Sequence, residues 1–99
     1  YPPAVYMMSL HGTGKDEAHL QMAMDYLVKM MQRMPESARI RVLGPTTESI
    51  GKIQDEYRKV IYMKGEDLQI LTGIKNKLEK YIEMNEGYRT VQIQFDLEN

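Results

Sequence analysis

Few residues of this chain could do chemistry, and their spacing decides what each can do. His11-Gly12-Thr13-Gly14-Lys15 stands where a strand would run into a helix, the usual place of a phosphate-binding loop. Such a loop needs a glycine, four residues, then Gly-Lys and a hydroxyl. Here Ser9 holds the first glycine position and Asp16 replaces the hydroxyl, and an anionic Asp16 at a helix start repels phosphate. The stretch therefore reads as a tight turn. His11 and His19 could meet as a metal pair, but no carboxylate stands at ligand spacing to complete a site, so no metal is expected. Ser9, Ser37 and Ser49 lack a nucleophile-elbow motif. The absence of cysteine removes disulfides, thiolate zinc sites and thiolate nucleophiles together, and fits a reducing cytosol. No catalytic residue is read from this chain.

What remains is a face. Arg39 and Arg41 alternate outward on one strand, and Arg58 can join them on the next beside Tyr62. Gln92 and Gln94 fall on the same side. Arginine with an aromatic on an open sheet can cradle a nucleic-acid single strand by phosphate contact and stacking. The same residues also make an ordinary solvated face, and Asp55, Glu56 and Asp96 oppose a phosphate nearby. With 13 Lys and Arg against 14 Asp and Glu, the net charge of −1 excludes a broadly basic surface, so any DNA contact must come from segregated charge.

The elements that would carry this face follow from periodicity. A chain of 99 residues is one domain with a single two-layer core, and 42% apolar with 27% charged residues is the balance of a globular protein. Nine methionines and no tryptophan suggest a core in which Met fills gaps. No apolar run is long enough for a membrane span or a signal segment. The start at Tyr1, without Met, leads us to expect a fragment of a longer protein.

Residues 4–11 read as a first strand, apolar on both faces and hence central, ending in a Gly12-Thr13-Gly14 turn. Asp16 is a plausible N-cap for an amphipathic helix with Leu20, Ala23, Leu27, Met30 or Met31, and Met34 inward, stopped by Pro35. Residues 39–43 form a short strand with Ile40 and Val42 inward. Residues 44–56 are expected as a long loop in which Ile50 and Ile53 fold back as a turn of helix, with Lys52 outward. Residues 57–64 give a third strand, and Glu66-Asp67 open a second helix with the stripe Leu68, Leu71, Ile74, Leu78. Gly73 inside that helix costs up to about 1 kcal/mol relative to Ala, tolerable if something packs closely there. Asn85-Glu86-Gly87 ends it, and Val91, Ile93, Phe95 and Leu97 alternate as a last strand. The order β-α-β-β-α-β makes an α+β ferredoxin-like plait, a four-stranded antiparallel sheet with both helices on one face and the first and third strands central.

At Tyr1-Pro2-Pro3, Val42-Leu43-Gly44-Pro45, Ile50-Gly51-Lys52-Ile53, Tyr57-Arg58 leading to Met63-Lys64, and the ending from Val91 to Asn99, the sequence resembles the C-terminal domain of the primosomal protein N′ family. These are bacterial replication-restart helicases of superfamily 2. The resemblance runs through residues 1–99 in order, which implies one C-terminal accessory domain of a longer helicase. It implies a cytoplasmic parent that is an ATP-dependent 3'-5' DNA helicase, with ATP and zinc bound only outside this fragment. The domain itself would be non-catalytic and without a cofactor, docking on the helicase core and assisting DNA binding in primosome assembly. The expected partners are that core, single-stranded or forked DNA, and single-strand-binding protein, with no membrane. Combined with the residues above, the resemblance makes Arg39, Arg41, Lys52 and Arg58 the candidate DNA contacts, and Gly44, Pro45, Ile50 and Ile53 the candidate docking residues. The competing expectation is a protein-interaction module of the same fold without nucleic-acid contact, marked by an apolar patch near Pro45, Ile50 and Ile53.

Overall fold

A computed structural model describes residues 5–98. The elements run β1 (Tyr6–Gly14), α1 (Glu17–Gln32), a 3-10 turn (Pro35–Arg39), β2 (Ile40–Ile53), β3 (Glu56–Gly65), α2 (Leu68–Met84), a 3-10 turn (Glu86–Tyr88) and β4 (Gln92–Glu98). All neighbouring strands are antiparallel, in the order β2-β3-β1-β4, so the apolar β1 and β3 are central as their composition requires. The fold is the ferredoxin-like plait.

Both helices cover one face. Leu10 and Ile61 are opposite each other across β1 and β3, as are Met8 and Met63, and all four are buried with Leu20, Leu27, Leu71, Ile74 and Leu78 of the helices. Met24, Met31 and Met34 join this core, so methionine does serve as filling. Asp16 caps α1 by accepting from the His19 amide at 3.1 Å, and Asp67 caps α2 by accepting from the Gln69 amide at 2.9 Å. Lys77 Nζ donates to Glu36 Oε2 at 2.7 Å, tying α2 to the turn before β2. That bond holds the Glu36 carboxyl below its ordinary value and lifts the Lys77 ammonium above its own.

Four expectations need correction. The first strand does not stop at His11: Gly12, Thr13 and Gly14 continue it, paired with Lys59, Arg58 and Tyr57. The expected start at Ala4 lies outside the described residues. Gly12 serves close approach and not a turn, because a Cβ there would sit 2.5 Å from Met24 Sδ and 3.1 Å from Leu20 Cδ1. Arg39 ends a 3-10 turn and is not in a strand.

The largest correction concerns residues 44–56, which are no loop and hold no helical turn. β2 runs on through them to Ile53 and returns through a two-residue turn, Gln54-Asp55, with φ of 52° and 64° at the two positions. Two register shifts hide the strand from a reading by alternation. Between Leu43 and Thr46, Gly44 and Pro45 lie opposite the single residue Ile61. Between Thr47 and Lys52, four residues, Glu48 to Gly51, lie opposite the single residue Arg58. Gly44 has φ of +102°, and a Cβ there would come 2.8 Å from the Val60 carbonyl oxygen. Finally, Gly73 has nothing within 4 Å of an added Cβ, so no close neighbour demands it.

Candidate functional site

Strand register decides which side chains share the helix-free face. Leu10 and Ile61 point into the core, so the intervening pairs His11–Val60, Ser9–Tyr62 and Thr13–Arg58 point outward. On the other side of β1, Gln94 and Asp96 lie opposite His11 and Ser9. On β2, Arg41 is opposite Lys64 and Leu43 opposite Tyr62. The face thus has two ends, since Arg58 and Lys64 are six residues apart on β3, roughly 20 Å.

One end is a closed polar network centred on His11. Its Nδ1 lies 2.9 Å from Glu48 Oε1 and its Nε2 lies 2.9 Å from Ser9 Oγ, with Asp96 Oδ2 at 3.5 Å. Ser9 Oγ donates to Glu98 Oε1 at 2.9 Å. Arg58 Nε donates to the other oxygen of Glu48 at 3.2 Å. An ionised carboxylate only accepts, so Nδ1 of His11 carries the proton that faces Glu48. The four-residue bulge in β2 carries Glu48 and so brings it within reach of both His11 and Arg58. A shallow cavity of about 340 Å³ lies beside the network, lined by Thr13, Gln92 and Gln94 as well.

Ser9, His11 and Glu48 stand in the order of a hydrolytic triad, a grouping the sequence does not betray because Glu48 is far along the chain. A nucleophile must nevertheless be reachable. Ser9 has no exposed surface, so a substrate cannot reach its hydroxyl. The arrangement is therefore a cross-strand clamp joining β2, β1, β3 and β4. Among the described residues, no three His, Cys, Asp or Glu side chains converge as metal ligands. The two histidines lie apart: His11 is on the open face, while His19 in α1 rests against the Tyr88 ring, 5.3 Å between centroids.

The other end is bare. Arg41 is exposed, Lys64 is half-buried across from it, and Arg39 stands just before β2. Among the described residues no carboxylate comes within ion-pair distance of these three cations. A shallow groove of about 480 Å³ runs between them and is also lined by Glu66 and Asp67, the latter engaged as the α2 cap.

The four candidate DNA contacts therefore do not gather into one cluster. Arg39 and Arg41 sit together at the bare end, with Lys64 as a third cation brought beside Arg41 by strand pairing. Arg58 is held by Glu48 in the clamp. Lys52 is near the hairpin turn, 3.9 Å from Asp55 and with its ammonium 5.0 Å from the centroid of the Tyr57 ring. The four candidate docking residues are split as well. Gly44 and Pro45 form the first bulge of β2 against β3, whereas Ile50 is 64% and Ile53 40% exposed near the hairpin end. Lys59, opposite Gly12, is buried on the helix side against Glu17 and Thr47 and is a structural cation.

Known structures share the architecture. A de novo designed protein, Foldit4, superposes with a TM-score of 0.74 at 10% identity, over 97% of this chain and 98% of that one. A dimeric ferredoxin-like protein from an uncultured marine organism gives 0.62 at 10% identity, over 95% and 92%. A hydantoinase/carbamoylase family amidase from Burkholderia ambifaria gives 0.61 at 12% identity, over 97% of this chain but 28% of the amidase. At these identities the likeness is one of fold alone. No curated protein matches the sequence. The family model of the primosomal protein N C-terminal domain matches residues 1–98, so a plait with a bare cationic end and an internally clamped one belongs to that family.

Proposed function

We propose that this domain serves replication restart as a non-catalytic accessory of a helicase, assisting the motor's hold on DNA. Its membership of the primosomal family gives the role its setting. The observation that carries the DNA contact is the cluster Arg39, Arg41 and Lys64, without described carboxylate partners, beside Tyr62 and Leu43 on the open sheet. Backbone phosphates are met by such unpaired cations, and a base can rest on the Tyr62 ring. Arg58 supports this surface by fixing the sheet, and Lys52 adds a separate positive point near the hairpin end. The partners in this reading are the helicase core, single-stranded or forked DNA, and single-strand-binding protein.

Titration of a single-stranded oligonucleotide at several salt concentrations tests the proposal. Neutralising about three phosphates gives a slope of log K against log salt near −2. Affinity without salt dependence, or no binding at millimolar protein, removes the DNA role.

A second reading has its own observation. Ile50 and Ile53 expose apolar surface close to the β2–β3 turn. They would be the docking contact on the helicase core, with Gly44 and Pro45 shaping the strand that presents them. Charged replacements of Ile50 and Ile53 that leave the motor's binding of the domain unchanged would refute this docking.

A further inference from the structure

The two edges of the sheet are not alike. β2 is broken by two register shifts and contains Pro45, which has no amide to donate, so it is a poor template for another strand. β4 has none of these protections. It pairs with β1 in unbroken register from Gln92 to Glu98, and no strand lies on its other side. It carries no proline, glycine or lysine. Its Leu97 is 44% exposed even though its partner Met8 is buried. An unprotected edge offers a row of free amides and carbonyls to a second strand.

The sequence of β4 restricts what that strand can be. Consider a second copy paired antiparallel about a two-fold axis at Phe95. Gln94 then lies opposite Asp96 of the partner subunit, and Gln92 opposite Glu98 of the partner subunit. Ile93 meets Leu97 of the partner subunit, and the two Phe95 rings meet each other. Every carboxylate faces a carboxamide, no like charges are directly opposed, and Leu97 is covered. A shift of the axis to Asp96 would set the two Asp96 carboxylates against each other.

We propose that β4 is a self-association edge, joining two copies of this chain through β4 in the register centred on Phe95 into one eight-stranded sheet. The surface is small, so association is weak and concentration-dependent. It is independent of DNA contact.

Sedimentation equilibrium of the 99-residue chain, without DNA, tests the proposal, with circular dichroism to verify that each variant is folded. The native chain should show a monomer–dimer equilibrium. Gln94→Glu opposes Asp96 of the partner subunit twice and should weaken the dimer roughly tenfold; Gln94→Lys should tighten it by a similar factor. Gln92→Glu and Gln92→Lys, facing Glu98 of the partner subunit, should repeat the pattern. A monomer at every concentration overturns the proposal. So does a dimer indifferent to the charge at both Gln94 and Gln92, because the copies would then meet elsewhere.

Discussion

The two ends of the open face carry similar cations and use them differently. At one end Arg58 is bound by Glu48, which also holds His11, and Asp96 and Glu98 complete a set of mutually satisfied groups. At the other end Arg41 and Lys64 lie side by side with no described carboxylate to neutralise them. A phosphate approaching the first end must compete with carboxylates already in place, whereas at the second it meets cations that no described carboxylate pairs with. The difference arises from the four-residue bulge in β2, which delivers a glutamate to one end only. Counting arginines on a face therefore overstates the positive charge it offers; what matters is which arginines already have a partner.

Breaking the clamp should have the largest effect. Glu48→Ala leaves His11 and Arg58 without their shared acceptor and should cost about 1–2 kcal/mol in chemical denaturation, a figure already discounted for partial exposure. It should also raise oligonucleotide affinity by freeing Arg58, making the two ends more alike. Unchanged affinity in a folded Glu48→Ala chain would mean that Arg58 cannot reach DNA even when released.

The bare end should respond in the opposite sense. Arg41→Ala with Lys64→Ala should leave stability within about 0.5 kcal/mol of the parent. It should reduce the magnitude of the salt slope by about 1.4, two phosphate contacts at about 0.7 each. Arg58→Ala alone should change the slope less than Arg41→Ala alone. The reverse ranking would place the DNA contact on the clamped end.

Away from the face, Gly73→Ala fills open space in α2 and should stabilise the fold by about 0.5–1 kcal/mol without changing DNA binding, measured by thermal unfolding. It supplies a stability change against which effects on affinity can be judged.

The smallest effect belongs to Glu36 and Lys77. Glu36 has its carboxyl lowered by the bond to Lys77, so its contribution is present above the ordinary carboxylate value and is lost as pH falls through the depressed one. Lys77 has its ammonium raised by the same bond, so its contribution is present below the ordinary lysine value and is lost as pH rises through the elevated one. Glu36→Gln should flatten both limbs of the stability–pH curve slightly and leave the salt slope untouched. A change in that slope would tie the turn before β2 to the DNA surface.

Much of this architecture is legible in residue patterns. The stripe of Leu20, Ala23, Leu27 and Met31 fixes α1 because only a period near 3.6 aligns those side chains, and Asp16 and Asp67 mark both helix starts. Alternation in β4 and the double-sided apolar content of β1 and β3 order the sheet. β2 escapes because alternation is a periodic signal and two bulges reset its phase. Gly44-Pro45, Gly51 and a turn made of Gln54-Asp55 in place of Asn-Gly complete the disguise.

By itself, then, the sequence of this chain determined the plait, its helix caps and core stripes, and the resemblance to the primosomal family. Each of these rests on neighbours in sequence or on ordered similarity along it. Only the tertiary structure decided which cations have a described carboxylate partner. Glu48 is 37 residues from His11 and 10 from Arg58, and Lys64 meets Arg41 through strand pairing alone. Those contacts depend on register, and register is set by bulges whose side-chain phase no local pattern carries.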